Sequence, residues 1–331
     1  MAAPALTAPV KGPSLASLMA VSGISALALN MFLPSLPQIA REFDVSFAAV
    51  SWAGSGYLGM TALLQLVLGP LSDRLGRRPV VLGVTAAFSA AAALGALAPD
   101  FTTFLVARML QGVIIAGATC AMASVRDVSP PGEAARRLGW VAMGMAIGPM
   151  VGPVIGGVLD AAFGWRSVFW ALSASGAALF LAALFDFRET NFNRWASFGA
   201  QFRGYPALAR SPAVWAYSIV VVAGVGCFYI FVSGAPKVAD AVFGIETAQL
   251  GFAIGVITLG FFLGNSVSGL MAQRAGLGPM VLAGRSVQVA ALLPNLALFA
   301  GGGIHPFSFF GLMAGVGFGN GLSHPSTTAG A

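Results

Sequence analysis

Charge is what this chain lacks most. Only 8% of its 331 residues are Asp, Glu, Lys or Arg, against about 25% in a soluble domain. With 57% hydrophobic residues, it has too few polar side chains to cover a water-facing surface. That excludes a soluble enzyme, a nucleic-acid-binding module and a disordered chain together. Cysteine is nearly absent: Cys120 and Cys227 both lie inside apolar segments, so neither a disulfide framework nor a thiolate metal site is indicated. The two histidines, His305 and His324, lie in or beside one apolar segment near its opposite ends. No carboxylate pair or nucleophile–base set accompanies them, so a membrane-embedded enzyme is disfavoured. No phosphate-binding loop is present, and the glycine run Gly317 to Gly321 has no preceding strand, so neither ATP nor another cofactor is expected. The class left is an all-α integral membrane protein.

Apolar length is what the chain has in abundance. A membrane helix needs about 20 mostly apolar residues. Ten segments meet or approach this, at 15–33, 50–71, 79–97, 101–124, 138–159, 167–185, 214–234, 250–271, 280–300 and 307–324. The 43 glycines fit such a bundle, since small residues let membrane helices approach closely. Strands of about ten residues with alternating hydrophobicity, the mark of a barrel, are not seen.

Orientation follows from the basic residues. With the N-terminus cytoplasmic, the inner side collects Lys11, Arg74, Arg77, Arg78, Arg126, Arg136, Arg137, Arg188, Arg194, Arg203, Arg210, Arg274 and Arg285, against Arg41, Arg166 and Lys237 outside. Reversal would invert that bias. The net charge of +6 is thereby read as loop topology and not as a nucleic-acid footprint. A polar joint with four arginines after the sixth span divides the chain into an N-terminal six-helix half (1–187), a cytoplasmic linker (188–212) and an incomplete four-helix half (213–331).

The halves show an internal repeat. Shifted by 200 residues, the joint Gly69 to Leu82 lies over Gly269 to Leu282, sharing glycine, arginine, glycine and proline in register. Duplicated helix sets typify secondary transporters, with substrate held between the repeats near the midplane.

Three motifs carry chemistry. The first is Gly69, Asp73, Arg74, Gly76, Arg77 and Arg78 in the joint after span two. Gly76 permits a tight turn, the arginines hold the loop at an anionic inner leaflet, and Asp73 among them stays ionised. The second is in span five, where Gly139, Gly148, Gly152, Pro153, Gly156 and Gly157 follow one another. Gly148, Gly152 and Gly156 recur every fourth residue and make a smooth face for a neighbour, and Pro153 can kink the span. The third is Arg108, about 10 Å into span four, with Gln111 one turn on. A charge at that depth costs roughly 2.5 kcal/mol or more and marks function by default.

With Gly164-Trp165-Arg166 opening span six and Phe32-Leu33-Pro34 closing span one, these motifs resemble the major facilitator superfamily (MFS). They are similar in particular to its drug:proton antiporters of the bicyclomycin/chloramphenicol resistance branch. The resemblance covers about residues 14 to 331 and implies a helical bundle of two pseudo-symmetric halves in the bacterial inner membrane, as a monomer. It implies an exporter of small amphiphilic compounds, exchanging them for protons by alternating access. Asp73 and Arg74 would then latch the cytoplasmic side, Arg108 would serve proton coupling, and Gly152-Pro153 would flex. The cavity candidates are Asn30, Tyr57, Gln111, Met143, Phe228, Tyr229 and Asn320.

Two departures bear on this. The branch carries an acid where this chain has Asn30, and no Asp or Glu lies deep in any of the ten spans, so the proton carrier is unidentified. The family has twelve spans, and ten are expected here, which reads as C-terminal truncation. A carrier for a sugar or metabolite, and a non-transporting remnant, are the alternatives.

Overall fold

The computed structural model describes residues 12–191, 210–245 and 247–330. Most of the expected linker, with Arg194 and Arg203, and Lys11 near the start lie outside the described residues.

Every regular element among the described residues is helical. The helices are α1 (Leu15–Asn30), α2 (Leu36–Glu42), α3 (Phe47–Leu75), α4 (Arg77–Ala96), α5 (Phe101–Gln111), α6 (Ile115–Val128), α7 (Pro131–Phe163), α8 (Trp165–Asp186), α9 (Pro212–Val238), α10 (Thr247–Ala275), α11 (Leu277–Ala300) and α12 (Pro306–Gly330). A short 3₁₀ turn at Leu33–Ser35, opened by Pro34, joins α1 to α2, and another at Gly112–Ile114 joins α5 to α6. Each of these pairs makes one broken span. Nine spans among the described residues are long and apolar enough to cross a membrane. The tenth expected segment lies in α12, a 25-residue helix.

The 200-residue repeat is visible in the backbone. Helix α3 runs from 47 to 75 and α10 from 247 to 275. Each is followed by a glycine with positive φ, Gly76 at 104° and Gly276 at 82°, and then by a second long helix starting at 77 or 277. A side chain would be strained at either φ, so the shared Gly turns the chain back in both copies.

The helices form two compact units. The first comprises Met1–Asn30, Phe43–Gly148 and Gly164–Gln201, and the second Met31–Glu42, Pro149–Phe163 and Phe202–Ala331. In the first, Leu18, Val21, Val81, Val84, Val125, Leu179 and Phe187 form an apolar core. Water drives none of this packing within a bilayer, so close contact and polar glue must hold it. Helices α4 and α8 illustrate both. A side chain at Gly176 would meet Phe88 at 2.8 Å, and Ser89 and Ser173 exchange hydrogen bonds to each other's carbonyls at 2.8 and 3.0 Å.

In the second unit, glycines do the same on a larger scale. On α10, Gly260 and Gly264 abut the carbonyls of Ala314 and Phe318, while Gly317 and Gly321 of α12 abut those of Ile257 and Phe261. Gly284 of α11 and Gly319 of α12 press on each other's carbonyls. The backbones touch because neither helix has a Cβ at the crossing.

Candidate functional site

Helix α5 carries Arg108 into the interior of the first unit, where it is 0% exposed. Its cap explains the placement. Asp100 accepts from the Thr103 backbone N–H at 2.9 Å and from the Thr103 hydroxyl at 3.0 Å, which fixes the start of α5. Those donors, the backbone N–H first, hold the Asp100 carboxyl below its usual range. Arg108 then arrives two turns along.

Its guanidinium is met by carbonyl oxygens. Nη1 donates to Gln111 Oε1 at 2.5 Å and to the Ala28 carbonyl at 3.3 Å, and Nε donates to the Ala53 carbonyl at 3.4 Å. Gln111 is anchored in turn, donating from Nε2 to the Ala91 carbonyl at 3.4 Å. The Tyr57 ring lies 4.6 Å from the guanidinium carbon and the Phe169 ring 5.8 Å, within range of cation–π attraction worth about 2 kcal/mol when desolvated. Phe169 in turn packs edge-to-face with Phe104 and Trp165, which meet each other in the same way, with centroids 5.3 to 5.7 Å apart. Groups from α1, α3, α5 and α8 thus meet one cation, and α4 anchors the glutamine beside it.

The predicted partners divide here. Gln111 and Tyr57 do meet Arg108, but Tyr57 is 2% exposed and covers the arginine instead of lining an open cavity. Asn30 donates from Nδ2 to the Ala26 carbonyl of its own helix at 2.7 Å. Its Oδ1 is buried with no hydrogen-bond partner, a state that costs about 1–3 kcal/mol.

The joint after α3 is an ionic cluster. Arg77 pairs with Asp73 at 2.5 Å and with Asp127 at 3.2 Å, and its Nη1 also reaches Ser72 Oγ at 2.5 Å. Glu189 accepts from the backbone N–H groups of Arg77 and Arg78 at 2.8 and 3.4 Å, satisfying orphan donors at the start of α4. Asn191 donates to the Asp73 carbonyl at 2.7 Å. Asp73 therefore engages Arg77, while Arg74 and Arg78 are exposed at this end; Gly69 has open space around it. Sequence reasoning missed Asp127 and Glu189, which come from 50 and 112 positions away.

On the glycine face of α7 some positions meet a neighbouring backbone or side chain. A side chain at Gly148 would meet Ala26 Cβ at 2.6 Å, and Gly156 lies on the Met31 carbonyl. Gly152, Pro153 and Gly157 are buried, and Gly251 of α10 packs on the Pro153 carbonyl. A side chain at Gly139 would meet open space. Met143 is 41% exposed.

Two charges are placed differently from the expectation. Arg285, assigned to the cytoplasmic loop, is the ninth residue of α11 and is half-buried. Asp160, one residue past the expected end of span five, is 4% exposed. It is the one acid buried to that degree among the described residues, and the Gln38 amide, turned to donate, lies 3.2 Å from its Oδ2.

In the second unit, Phe228 and Asn320 line one cleft with Phe231, Gln288 and Met313. Tyr229 stacks edge-on against Phe228, centroids 5.2 Å apart. No group of three or more His, Cys, Asp or Glu among the described residues could hold a metal ion.

This arrangement can be set beside known proteins. A chloramphenicol resistance protein of Pseudomonas aeruginosa is 30% identical over 236 residues, 70% of this chain and 55% of that protein. The multidrug resistance protein MdtL of Shewanella oneidensis is 29% identical over 291 residues, 86% of this chain and 72% of the relative. The chain thus spans about half the length of the first and nearly three quarters of the second. A bacterial homolog of the human lysosomal transporter Spinster, inward-facing and unoccupied, superposes with a TM-score of 0.75 at 20% identity, over 96% of this chain and 74% of that one. A D-xylose-proton symporter gives 0.66 at 14% identity, over 94% and 79%. At these identities the structures speak for the fold alone. Residues 18–331 match the Major Facilitator Superfamily, and the chain belongs to that family of multi-pass membrane transporters.

Proposed function

We propose that the chain exports small amphiphilic compounds, drugs among them, across the bacterial inner membrane in exchange for protons. The observation that carries this reading is Arg108, a cation held 0% exposed in an apolar helix by Gln111 and two backbone carbonyls. Retaining a charge there costs roughly 2.5–3.5 kcal/mol, and a purely structural bundle has no use for it. The glycine-and-proline face of α7 supports an exporter, as do relatives named for multidrug and chloramphenicol resistance.

In this mechanism alternating access exposes the substrate cavity to each side in turn. Arg108 supplies the fixed positive charge against which a proton or substrate is exchanged, and Asn30 Oδ1 offers an acceptor to the incoming compound. In this reading Asp160, buried to 4% exposure beside the Gln38 amide, is the group that takes and releases the proton. Asp73, Arg77, Asp127 and Glu189 form the cytoplasmic latch.

The test is accumulation of chloramphenicol in a pump-deficient bacterium expressing the chain. Accumulation several-fold lower than in the empty host, restored by a protonophore and by Arg108→Ala at equal membrane abundance, is the expected result. Accumulation equal to that of the empty host would overturn the reading.

A further inference from the structure

A second cation lies within a span, and the reading above does not use it. Arg285 sits about 12 Å along α11 from its start. Its Nη1 donates to Gln288 Oε1 at 2.6 Å and its Nη2 to the Val220 carbonyl at 2.8 Å. Gln288 is held by a 3.5 Å bond from Nε2 to the Val316 carbonyl of α12. The pairing repeats that of Arg108 with Gln111: an arginine whose Nη1 donates to a glutamine three residues on.

What lies beyond the pair is different. Arg108 is roofed by Tyr57 and Phe169. Arg285 is half-buried and its guanidinium lies beside Gly224, where an added methyl would come within 2.8 Å of both guanidinium nitrogens and 2.6 Å of Asn320 Oδ1. Gly224, Gln288 and Asn320 line the cleft together with Phe228, Phe231 and Met313. The cleft is thus lined by two amides and an aromatic wall, with the Arg285 guanidinium beside it at Gly224 and no carboxylate pairing that cation among the described residues. Its volume of about 10 Å³ matches roughly one water, so it admits a single polar group, with the ring of a larger compound displacing Phe228 and Phe231.

We propose that Arg285, Gln288 and Asn320 form a binding site for an anionic oxygen group, a carboxylate in particular, carried on an aromatic compound. The site selects against cations of the same shape. A guanidinium presents paired donors that match a carboxylate edge, Asn320, whose Oδ1 is the atom facing this point, adds an amide donor once its side chain turns over, and an apolar surround strengthens the attraction by excluding water. The proposal rests on the transport reading in that it names the substrate class, but it is tested by binding.

The experiment uses the full chain in nanodiscs of zwitterionic lipid, with equilibrium dialysis of 1-naphthoate and of 1-naphthylmethylammonium, which share a ring and differ in charge. Naphthoate binds at least tenfold more tightly than the ammonium, Arg285→Gln erases the preference, and Arg285→Lys keeps it in part. Gly224→Ala, which puts a methyl where Arg285 and Asn320 converge, weakens naphthoate at least fivefold. Circular dichroism melting shows which variants are folded, and Gly224→Ala carries the test if Arg285→Gln is not. Equal affinities in the wild type, a preference surviving in folded Arg285→Gln, or naphthoate affinity unchanged in folded Gly224→Ala would each overturn the site. Selective binding without chloramphenicol export leaves the site standing and overturns the export reading, whereas export without selectivity does the reverse.

Discussion

Arg108 and Arg285 meet one problem, a cation in an apolar helix, with one device: a glutamine a turn further on that is itself tied to a neighbouring carbonyl. Removing the cation leaves the amide and the carbonyls it served without a donor, at about 1–3 kcal/mol for each buried group. Arg108→Ala should therefore lower the melting temperature as well as abolish export, while Arg108→Met, which refills the volume, should lose export with a smaller thermal penalty. Asp160→Asn should leave facilitated exchange of substrate intact and make export insensitive to an imposed pH gradient; gradient-driven export surviving in that variant would remove Asp160 from the mechanism.

Asp100 gives a pH prediction. Its carboxyl is held below the usual range by the Thr103 donors, so its cap is fully present above the unfolded value of roughly 3.9 and is lost as pH falls through the lower folded value. Thermal melts between pH 6 and 3 should show that loss, and Asp100→Asn, a neutral cap, should not share it.

The same scale shows what could be read in advance. Arg108 and Gln111 stood out because a charge inside a hydrophobic run is conspicuous. Arg285 did not, because it lies near an expected span edge, where a basic residue is also what a cytoplasmic loop would carry. Asp160 lies one residue beyond the expected end of span five. Asp127 and Glu189 were invisible because their contact with Arg77 is made by the fold, not by spacing.

At the scale of elements, α7 shows why a glycine pattern is only partly legible. A repeat of four residues says which glycines share a face but not which of them a neighbour reaches. Gly156 rests on the Met31 carbonyl, while Gly139 meets open space. Gly156→Ala should thus cost about 1–3 kcal/mol through overpacking and impair export. Gly139→Ala should be neutral or stabilising by up to about 1 kcal/mol, since alanine is the better helix former. Detergent-solubilised melts of the two variants check this, and equal effects would contradict the assigned contacts. The repeat was more fully legible, because the turn glycines at 76 and 276 are required by positive φ and the helices before them share length and register. The breaks at Leu33–Ser35 and Gly112–Ile114 were hidden, as an apolar run reads alike whether the helix is continuous or interrupted.

For the molecule as a whole, we propose a duplicated bundle threaded through the membrane so that the two equivalent turns share the cytoplasmic side. Apolar runs and basic loops alone lead to that threading. The most direct measurement is labelling of single cysteines by a membrane-impermeant maleimide, in a background of Cys120→Ser and Cys227→Ser. Arg78→Cys and Gly278→Cys occupy equivalent exposed positions in the two turns, and Leu97→Cys, 66% exposed at the other end of α4, reports the outer face. Intact cells should label Leu97→Cys alone, with Arg78→Cys and Gly278→Cys reacting only after permeabilisation. Labelling of one turn but not the other in intact cells would contradict the account.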